Sequence, residues 1–205
     1  MNKEKYIDDL REIKDMMSRS SRFISLSGLS GVAAGIIALL GAYAAYQTVY
    51  AHQNYLGYRK ALITTNSITI LLIIAAMTII CALAAGIYFT TRKARKDNQK
   101  LWDIQTQRLL INLAIPLVTG GILCLILLFQ GYLGFVAPFT LIFYGLALVN
   151  ASKYTLTEIR SLGIIEIMVG LIASYFIGYG LIFWAIGFGI LHIVYGIIMQ
   201  TRYGS

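Results

Sequence analysis

Apolar residues occupy six long segments of this chain, and short polar or glycine-rich connections separate them. Each segment is close to the roughly 20 residues that an α-helix needs to cross a hydrocarbon core of about 30 Å. The pattern predicts an all-α protein, a polytopic transmembrane helical bundle with six spans. The segments cover residues 23–50, 67–90, 109–130, 135–151, 156–176 and 181–200.

Apolar residues also recur at helical spacing before the first segment, which predicts an amphipathic helix over residues 3–17. Four basic and five acidic side chains lie among these residues, so packing against protein is favoured over adsorption to anionic lipid. We therefore divide the chain into a cytoplasmic amphipathic helix, 1–22, and one six-helix domain, 23–205. The domain is predicted to contain a looser hairpin, 23–90, and two tight hairpins, 109–151 and 156–200.

Basic residues predict the orientation of the bundle, because Lys and Arg are retained preferentially on the cytoplasmic side. With the N-terminus inside, 15 of the 17 Lys and Arg residues are cytoplasmic, and only Arg59 and Lys60 lie outside. Both termini are then cytoplasmic. The net charge of +8 belongs mainly to this basic collar, so the expected partner is the lipid bilayer and no nucleic acid is needed.

Composition agrees with a membrane protein. Hydrophobic residues make up 58% of the chain and charged residues 13%, against roughly 25% charged residues in soluble domains. The first segment also contains small residues at four-residue steps, among them Ser27, Gly31 and Gly35. Such a stripe predicts close helix packing in lipid. We favour a neighbour in the same chain, and a second copy remains the alternative.

The last four segments are joined in pairs by very short outer turns. Each turn begins with the pattern Phe-x-Gly-Tyr, at residues 129–132 and 176–179. The similarity is consistent with a parallel repeat, in contrast to the inverted repeats of many secondary transporters. Common use of Gly and Tyr in turns explains it equally well.

Glu166 is the one acid well inside an apolar segment, where a carboxylate is costly unless it is neutral, paired or hydrated. His192 lies in the next segment, at the same distance from the turn near residue 179. Antiparallel pairing would place both roughly 20 Å from the outer surface, so we predict a Glu166–His192 pair. Such a pair is either a protonation-sensitive ligand site or an internal hydrogen bond between helices.

Other polar residues have simpler interpretations. Asn112 and Asn150 lie near the cytoplasmic ends of neighbouring segments, where they either complete the same ligand or proton site or bridge the two helices. Thr155 and Glu158 have the spacing of a capping box, which satisfies free amides at a helix start.

One short motif invites an enzymatic interpretation. Residues 28–31, Gly-Leu-Ser-Gly, resemble the G-x-S-G of rhomboid intramembrane proteases, which pair that serine with a histidine on a later helix; here these would be Ser30 and His192. No polar residues for an oxyanion site accompany the motif, and the sequence has no H-E-x-x-H, Walker loop or metal-spaced cluster. We therefore expect a non-enzymatic protein with no metal and no cofactor.

Residues 109–200, especially 150–160 and 184–192, resemble small multi-span proteins of the bacterial inner membrane. The resemblance implies that compartment and no mechanism. Two classes of function follow from the residues. The favoured class is a membrane component that binds a protein partner or itself, and the alternative is a small carrier or ligand-binding protein that uses Glu166 and His192.

Overall fold

A computed structural model describes residue 13 and residues 27–50, 65–97 and 102–203 of the chain. Most of the predicted N-terminal helix and the connection that contains Arg59 and Lys60 lie outside these residues. The described part is built from six helices, which confirms the all-α class for it. They are α1 Gly28–Ala45, continued by a π-helical stretch Tyr46–Tyr50; α2 Thr65–Lys96; α3 Ile104–Phe129; α4 Val136–Ala151; α5 Thr157–Tyr175; and α6 Gly180–Tyr203.

Five of these helices, with their flanking turns, are long and apolar enough to cross a membrane. The exception is α5, since its 19 residues contain three charged side chains, Glu158, Arg160 and Glu166. Glu158 and Arg160 lie in its first turn, whereas Glu166 lies in its middle. The polar character of α5 is thus concentrated at one end and at one internal position.

Helices α1 and α6 pack through glycines whose backbones are in direct contact. A Cβ atom added at Gly35 would lie 2.6 Å from the Gly189 carbonyl oxygen, and one added at Gly196 would lie 2.6 Å from the Val32 nitrogen. Gly31 faces the Gly196 Cα in the same interface. The predicted small-residue stripe of α1 therefore packs on α6 of the same chain, with Ser27 buried just before the helix.

Helices α4 and α5 pack in the same manner. A Cβ atom at Gly145 would lie 2.5 Å from the Gly163 carbonyl oxygen, and one at Gly163 would lie 2.7 Å from the Gly145 carbonyl oxygen. Farther along α5, Gly170 faces the Pro138 carbonyl oxygen of α4. Close backbone approach at small residues is the usual basis of helix association in lipid, where apolar side chains gain little by leaving the acyl chains.

Glycine also closes the two short turns. Gly131, after α3, has a φ of +83°, and Gly178, after α5, has a φ of +107°. They occupy the same position in the two Phe-x-Gly-Tyr patterns. After α3 the Tyr132 N–H donates to the Leu127 carbonyl oxygen at 2.8 Å, which ends the helix in the manner of a left-handed cap.

The helices associate in two groups of three. The first group is α1, α2 and α6, and the second is α3, α4 and α5. The structure differs here from the predicted tight hairpin over residues 156–200, because α5 packs along α4 and meets α6 at few points. The physical reason is that the glycine face of α5 is taken by α4 and that of α6 by α1.

The two groups meet where α4 and α5 face α6, a region that we call the junction. Part of it is a buried apolar cluster formed by Leu148 of α4, Ile159 and Leu162 of α5, and Met199 of α6. The tyrosines Tyr144, Tyr195 and Tyr203 pack against this cluster. The junction thus joins helices that are distant along the chain.

Candidate functional site

Glu166 lies in the junction and is completely buried, with 0% of its surface exposed. It projects from the face of α5 that also contains Gly163 and Gly170. Both carboxylate oxygens lack a hydrogen-bond partner within the part of the chain that the structure describes. A buried acceptor without a partner is unusual, because burial removes its hydrogen bonds to water without replacement.

His192 of α6 lies beside this carboxylate, so the predicted Glu166–His192 pair is present in the structure. Its Nδ1 is 3.5 Å from Glu166 Oε1 and 3.0 Å from the Gly187 carbonyl oxygen, and its Nε2 is 2.7 Å from the Tyr144 hydroxyl oxygen. A carbonyl oxygen only accepts hydrogen bonds, so Nδ1 holds a hydrogen that it donates to Gly187. In the neutral ring, Nε2 then accepts from Tyr144.

This hydrogen-bond pattern explains why Glu166 stays unpartnered at a distance of 3.5 Å. The Nδ1 hydrogen is directed at the Gly187 carbonyl, and the second ring nitrogen faces Tyr144. The imidazole and the carboxylate are therefore close enough for an electrostatic interaction that depends on the protonation of His192. The arrangement becomes an ion pair only when the ring has gained a proton and the carboxylate has lost one.

Local distortion of α6 makes the close approach feasible. The stretch Ala185–Leu191 is π-helical, a rare geometry that often occurs at functional sites. Gly187 lies inside it, and a Cβ atom there would lie 2.5 Å from Glu166 Oε2. A side chain at this position would have to displace the ends of the Leu141 and Glu166 side chains.

Aromatic rings surround the polar pair on the α4 side. The ring of Phe188 lies 4.9 Å from that of Tyr144 and stacks on His192 at 5.9 Å, centroid to centroid. Sequence reasoning missed Tyr144 as a site residue. The only sequence feature that marked Tyr144 was the dipeptide Tyr144-Gly145, which recurs as Tyr195-Gly196 in α6. Tyrosine is too common in membrane proteins for its presence alone to indicate a site.

The two asparagines do not join the site. The Asn150 side chain donates to the Asn112 carbonyl oxygen at 2.9 Å, and the Asn112 side chain donates to the Arg108 carbonyl oxygen at 2.8 Å. In the described part of the chain their amides make no hydrogen bond to Glu166 or His192. The Asn150 side chain therefore bridges α4 to the backbone of α3, whereas the Asn112 side chain bonds within α3.

The start of α5 also differs from the prediction. The helix begins at Thr157 with Leu156 in the capping position, one residue after Thr155, which is buried. The Glu158 carboxylate reaches α6, where its Oε1 accepts from Tyr203 Oη and Arg202 Nη1, each at 2.9 Å. The physical reason is the nearby end of α6, which offers Glu158 charged and hydroxyl donors that the local sequence does not reveal.

The same end of the bundle includes α2. Lys93 Nζ donates to the Tyr203 carbonyl oxygen at 2.7 Å, so Tyr203 connects α2 to α6 by its backbone and to α5 by its hydroxyl. We call the contacts of Lys93, Glu158, Arg202 and Tyr203 the end latch. The latch links the two helix groups at the end of the junction nearest the C-terminus.

The serine–histidine arrangement of a rhomboid protease is not formed. Ser30 Oγ donates to the Ser27 carbonyl oxygen at 2.5 Å, and both ring nitrogens of His192 have the partners given above. No cluster of three or more His, Cys, Asp or Glu side chains suited to a metal occurs among the described residues.

The chemistry that the site offers is the exchange of a proton between a buried carboxylate and an imidazole. One proton placed on either Glu166 or His192 leaves the pair without net charge. Comparison with known proteins supplies no precedent for this arrangement: the chain matches no family model, no curated protein and no solved structure.

Proposed function

We propose that this protein is a non-enzymatic integral membrane protein with six membrane-crossing helices, located in the bacterial inner membrane with both termini in the cytoplasm. Five long apolar helices support the location in a membrane. The orientation is supported by the basic residues, since 15 of the 17 would lie on the cytoplasmic side. Helix α5 is compatible with a sixth span, because its internal charged residue, Glu166, is buried against protein.

Within this protein, Glu166 and His192 serve as a proton-binding site of a small carrier or ligand-binding protein. The observation on which this rests is that neither carboxylate oxygen of the fully buried Glu166 has a hydrogen-bond partner among the described residues. A group that only contributed to packing would gain stability from a partner or from replacement by an apolar side chain. Ionisable residues that are buried in a membrane protein at a cost in stability commonly mark ion or substrate pathways.

The charges of the pair explain how proton binding becomes linked to transport. With one proton, the pair is neutral, whether the proton is on Glu166 or on His192. Loss of that proton leaves a buried negative charge, which costs several kcal/mol in a low-dielectric site. The proton therefore leaves only when water or another cation enters, and entry requires the junction to open.

The two helix groups are the natural moving parts. The glycine interfaces lie within the groups, whereas Glu166 and His192 lie between them. The end latch and the apolar cluster hold the junction closed at the cytoplasmic end in the proposed orientation. Opening at this end separates the Glu158 carboxylate from Arg202 and Tyr203.

Infrared difference spectroscopy across a pH change tests the site, because it records the protonation of individual carboxyl groups. A signal from a buried carboxyl is expected in the wild type and should disappear in Glu166→Gln. Glu158→Gln is the matched control, since it removes the other glutamate of α5 from the partly exposed end latch. Proton flux into proteoliposomes should fall in Glu166→Gln and persist in Asp97→Asn, which removes an exposed carboxylate outside the junction.

An unchanged carboxyl signal and unchanged flux in Glu166→Gln would remove the basis of this proposal. A signal lost together with an unaltered flux would limit Glu166 to a static protonated group and would also count against the carrier class.

A second candidate, a membrane component that binds a protein partner or itself, is favoured by α2. No residue is buried in the most apolar 18-residue stretch of this helix, so α2 has apolar surface available on most sides. In this function, activity should be lost on deletion of residues 2–20 and retained in Glu166→Gln. Native mass spectra of protein extracted in mild detergent would show a second protein or a defined oligomer.

A further inference from the structure

A surface groove of about 630 Å³ lies along the C-terminal part of α2. Its described lining comes from one face of the helix, in which apolar residues lead to a tyrosine and then to two arginines. The lining residues are Ala84, Ile87, Tyr88, Thr91, Arg92 and Arg95.

The two arginines are electrostatically unsatisfied. Arg92 and Arg95 are exposed, and neither forms an ion pair or hydrogen bond with any residue that the structure describes. No acidic side chain is among the described residues of the groove. The neighbouring Lys93, in contrast, points toward α6 and donates to the Tyr203 carbonyl oxygen.

The order of residues along the groove matches the order of groups in a phospholipid. Ala84 and Arg95 are 11 residues apart, about 16 Å along a helix, which spans the boundary between acyl chain and headgroup. Tyr88 lies between them, and tyrosine is common at that boundary. Two guanidinium groups one turn apart provide forked donors suited to a phosphate.

We propose that this groove binds one anionic phospholipid, with an acyl chain along Ala84 and Ile87 and the phosphate held by Arg92 and Arg95. The proposal depends on the membrane placement argued above and is independent of any role for Glu166. Charge complementarity is the reason for an anionic lipid rather than a zwitterionic one, because no acidic side chain of the described lining is available to a choline or ethanolamine group.

The test is lipid retention by the full-length protein in native mass spectra, recorded from micelles containing equal amounts of phosphatidylglycerol and phosphatidylcholine. The wild type should retain one phosphatidylglycerol, and the double variant Arg92→Gln/Arg95→Gln should bind it roughly 10- to 30-fold more weakly. The control is Arg108→Gln/Arg160→Gln, which removes two other exposed basic side chains and should retain the lipid.

Two further arms identify what is bound. The double variant Arg92→Lys/Arg95→Lys keeps both positive charges but loses the forked guanidinium donors. Its retention of phosphatidylglycerol should therefore lie between that of the wild type and that of the glutamine variant. Excess inorganic phosphate should not displace the lipid, since it cannot occupy the apolar part of the groove.

Equal retention by the groove and control variants would overturn the proposal, as would displacement by phosphate alone. Increased lipid retention after deletion of residues 2–20 would also overturn it, because it would show that the N-terminal segment of the chain itself competes with the lipid for the groove.

Discussion

The glycine interfaces and the junction hold helices of this bundle together by different means. At the α1–α6 and α4–α5 contacts, the backbones approach each other directly at glycines. At the junction, the contacts are made by aromatic rings, an apolar cluster and one buried polar pair. The helices within each group therefore associate tightly. The surface between the two groups, in contrast, contains the Glu166 carboxylate, whose hydrogen-bonding capacity is not used by the described residues.

This difference bears on how such a protein combines stability with function. An interface of glycines leaves no space for a larger side chain, since a single added methyl group would clash with backbone atoms of the neighbouring helix. The junction includes a carboxylate that accepts no hydrogen bond from the described residues, so part of the favourable energy available there is not realised. We therefore expect substitutions in the glycine interfaces to affect stability most, and those at the junction to affect stability less and protonation more.

The largest effect should follow Gly196→Ala. Its new Cβ would lie 2.6 Å from the Val32 nitrogen and 2.7 Å from the Gly28 carbonyl oxygen, and neither backbone atom can move without shifting α1. Overpacking against backbone should lower the free energy of unfolding by about 3 kcal/mol. Denaturant unfolding in detergent micelles, followed by circular dichroism, measures the loss.

Gly86→Ala in α2 is the matched control, since the added carbon would meet no atom of a neighbouring helix within 4 Å. Removing a helical glycine there should leave stability unchanged or raise it by up to about 1 kcal/mol. Similar losses in both variants would show that helix propensity, rather than close packing, governs these glycines.

A smaller effect is expected for His192→Leu at the junction. The change removes the acceptor of the Tyr144 hydroxyl and the donor to the Gly187 carbonyl, so the free energy of unfolding should fall by about 2 kcal/mol. Glu166→Gln removes a buried ionisable group of nearly the same shape and should change it by less than about 1 kcal/mol. The same unfolding measurement compares the two.

A double-mutant cycle between Tyr144→Phe and His192→Leu refines this prediction. The two losses should be strongly non-additive, because each variant breaks the same 2.7 Å hydrogen bond. Additive losses would indicate that the bond contributes nothing and that the ring stacking on Phe188 alone orients His192.

The end latch should contribute less again. Tyr203→Phe removes the hydroxyl that donates to Glu158 and is expected to cost about 1 kcal/mol. Arg202 adds little to this, since its side chain is 64% exposed. Thermal unfolding compares the variant with Tyr179→Phe, whose hydroxyl makes no hydrogen bond in the described part; equal midpoints would exclude a stabilising latch.

The smallest effect lies outside both regions, at the start of α3. The Asp103 side chain accepts from the Thr106 backbone N–H and from the Thr106 hydroxyl, each at 2.7 Å. The backbone bond, with the hydroxyl second, holds the pKa of Asp103 below its ordinary value of 3.8. Its stabilising contribution is present above that ordinary value and is lost as pH falls through the lowered one.

Asp103→Asn keeps a capping side chain and removes the charge, so a loss of about 0.5 kcal/mol is expected at neutral pH. The difference between wild type and variant should vanish in acid. A difference that persists at low pH would mean that shape rather than charge decides the cap.

Much of the candidate site was predictable from the sequence because the relevant rules are local. The position of Glu166 inside an apolar segment and its equal distance with His192 from one turn led to a pair that the structure contains. Asn112 and Asn150 were grouped with the Glu166–His192 pair only because of their expected depth in the membrane. Depth does not determine which face of its helix a residue occupies. Glu158 was assigned to a cap because its partners, Arg202 and Tyr203, are more than 40 residues away.

The sequence by itself determined the six helices of the described part, their approximate ends and the two glycine turns, since hydrophobic pattern and turn chemistry act over a few residues. Only the tertiary structure decided which helices are neighbours. Small residues occur on one face of each of α1, α4, α5 and α6, so several pairings satisfy the pattern equally. Only the close fit of whole surfaces selects α1 with α6 and α4 with α5. That selection brings Tyr144 to His192 and leaves Glu166 without a hydrogen bond in the described structure, because the site is formed where the two groups meet.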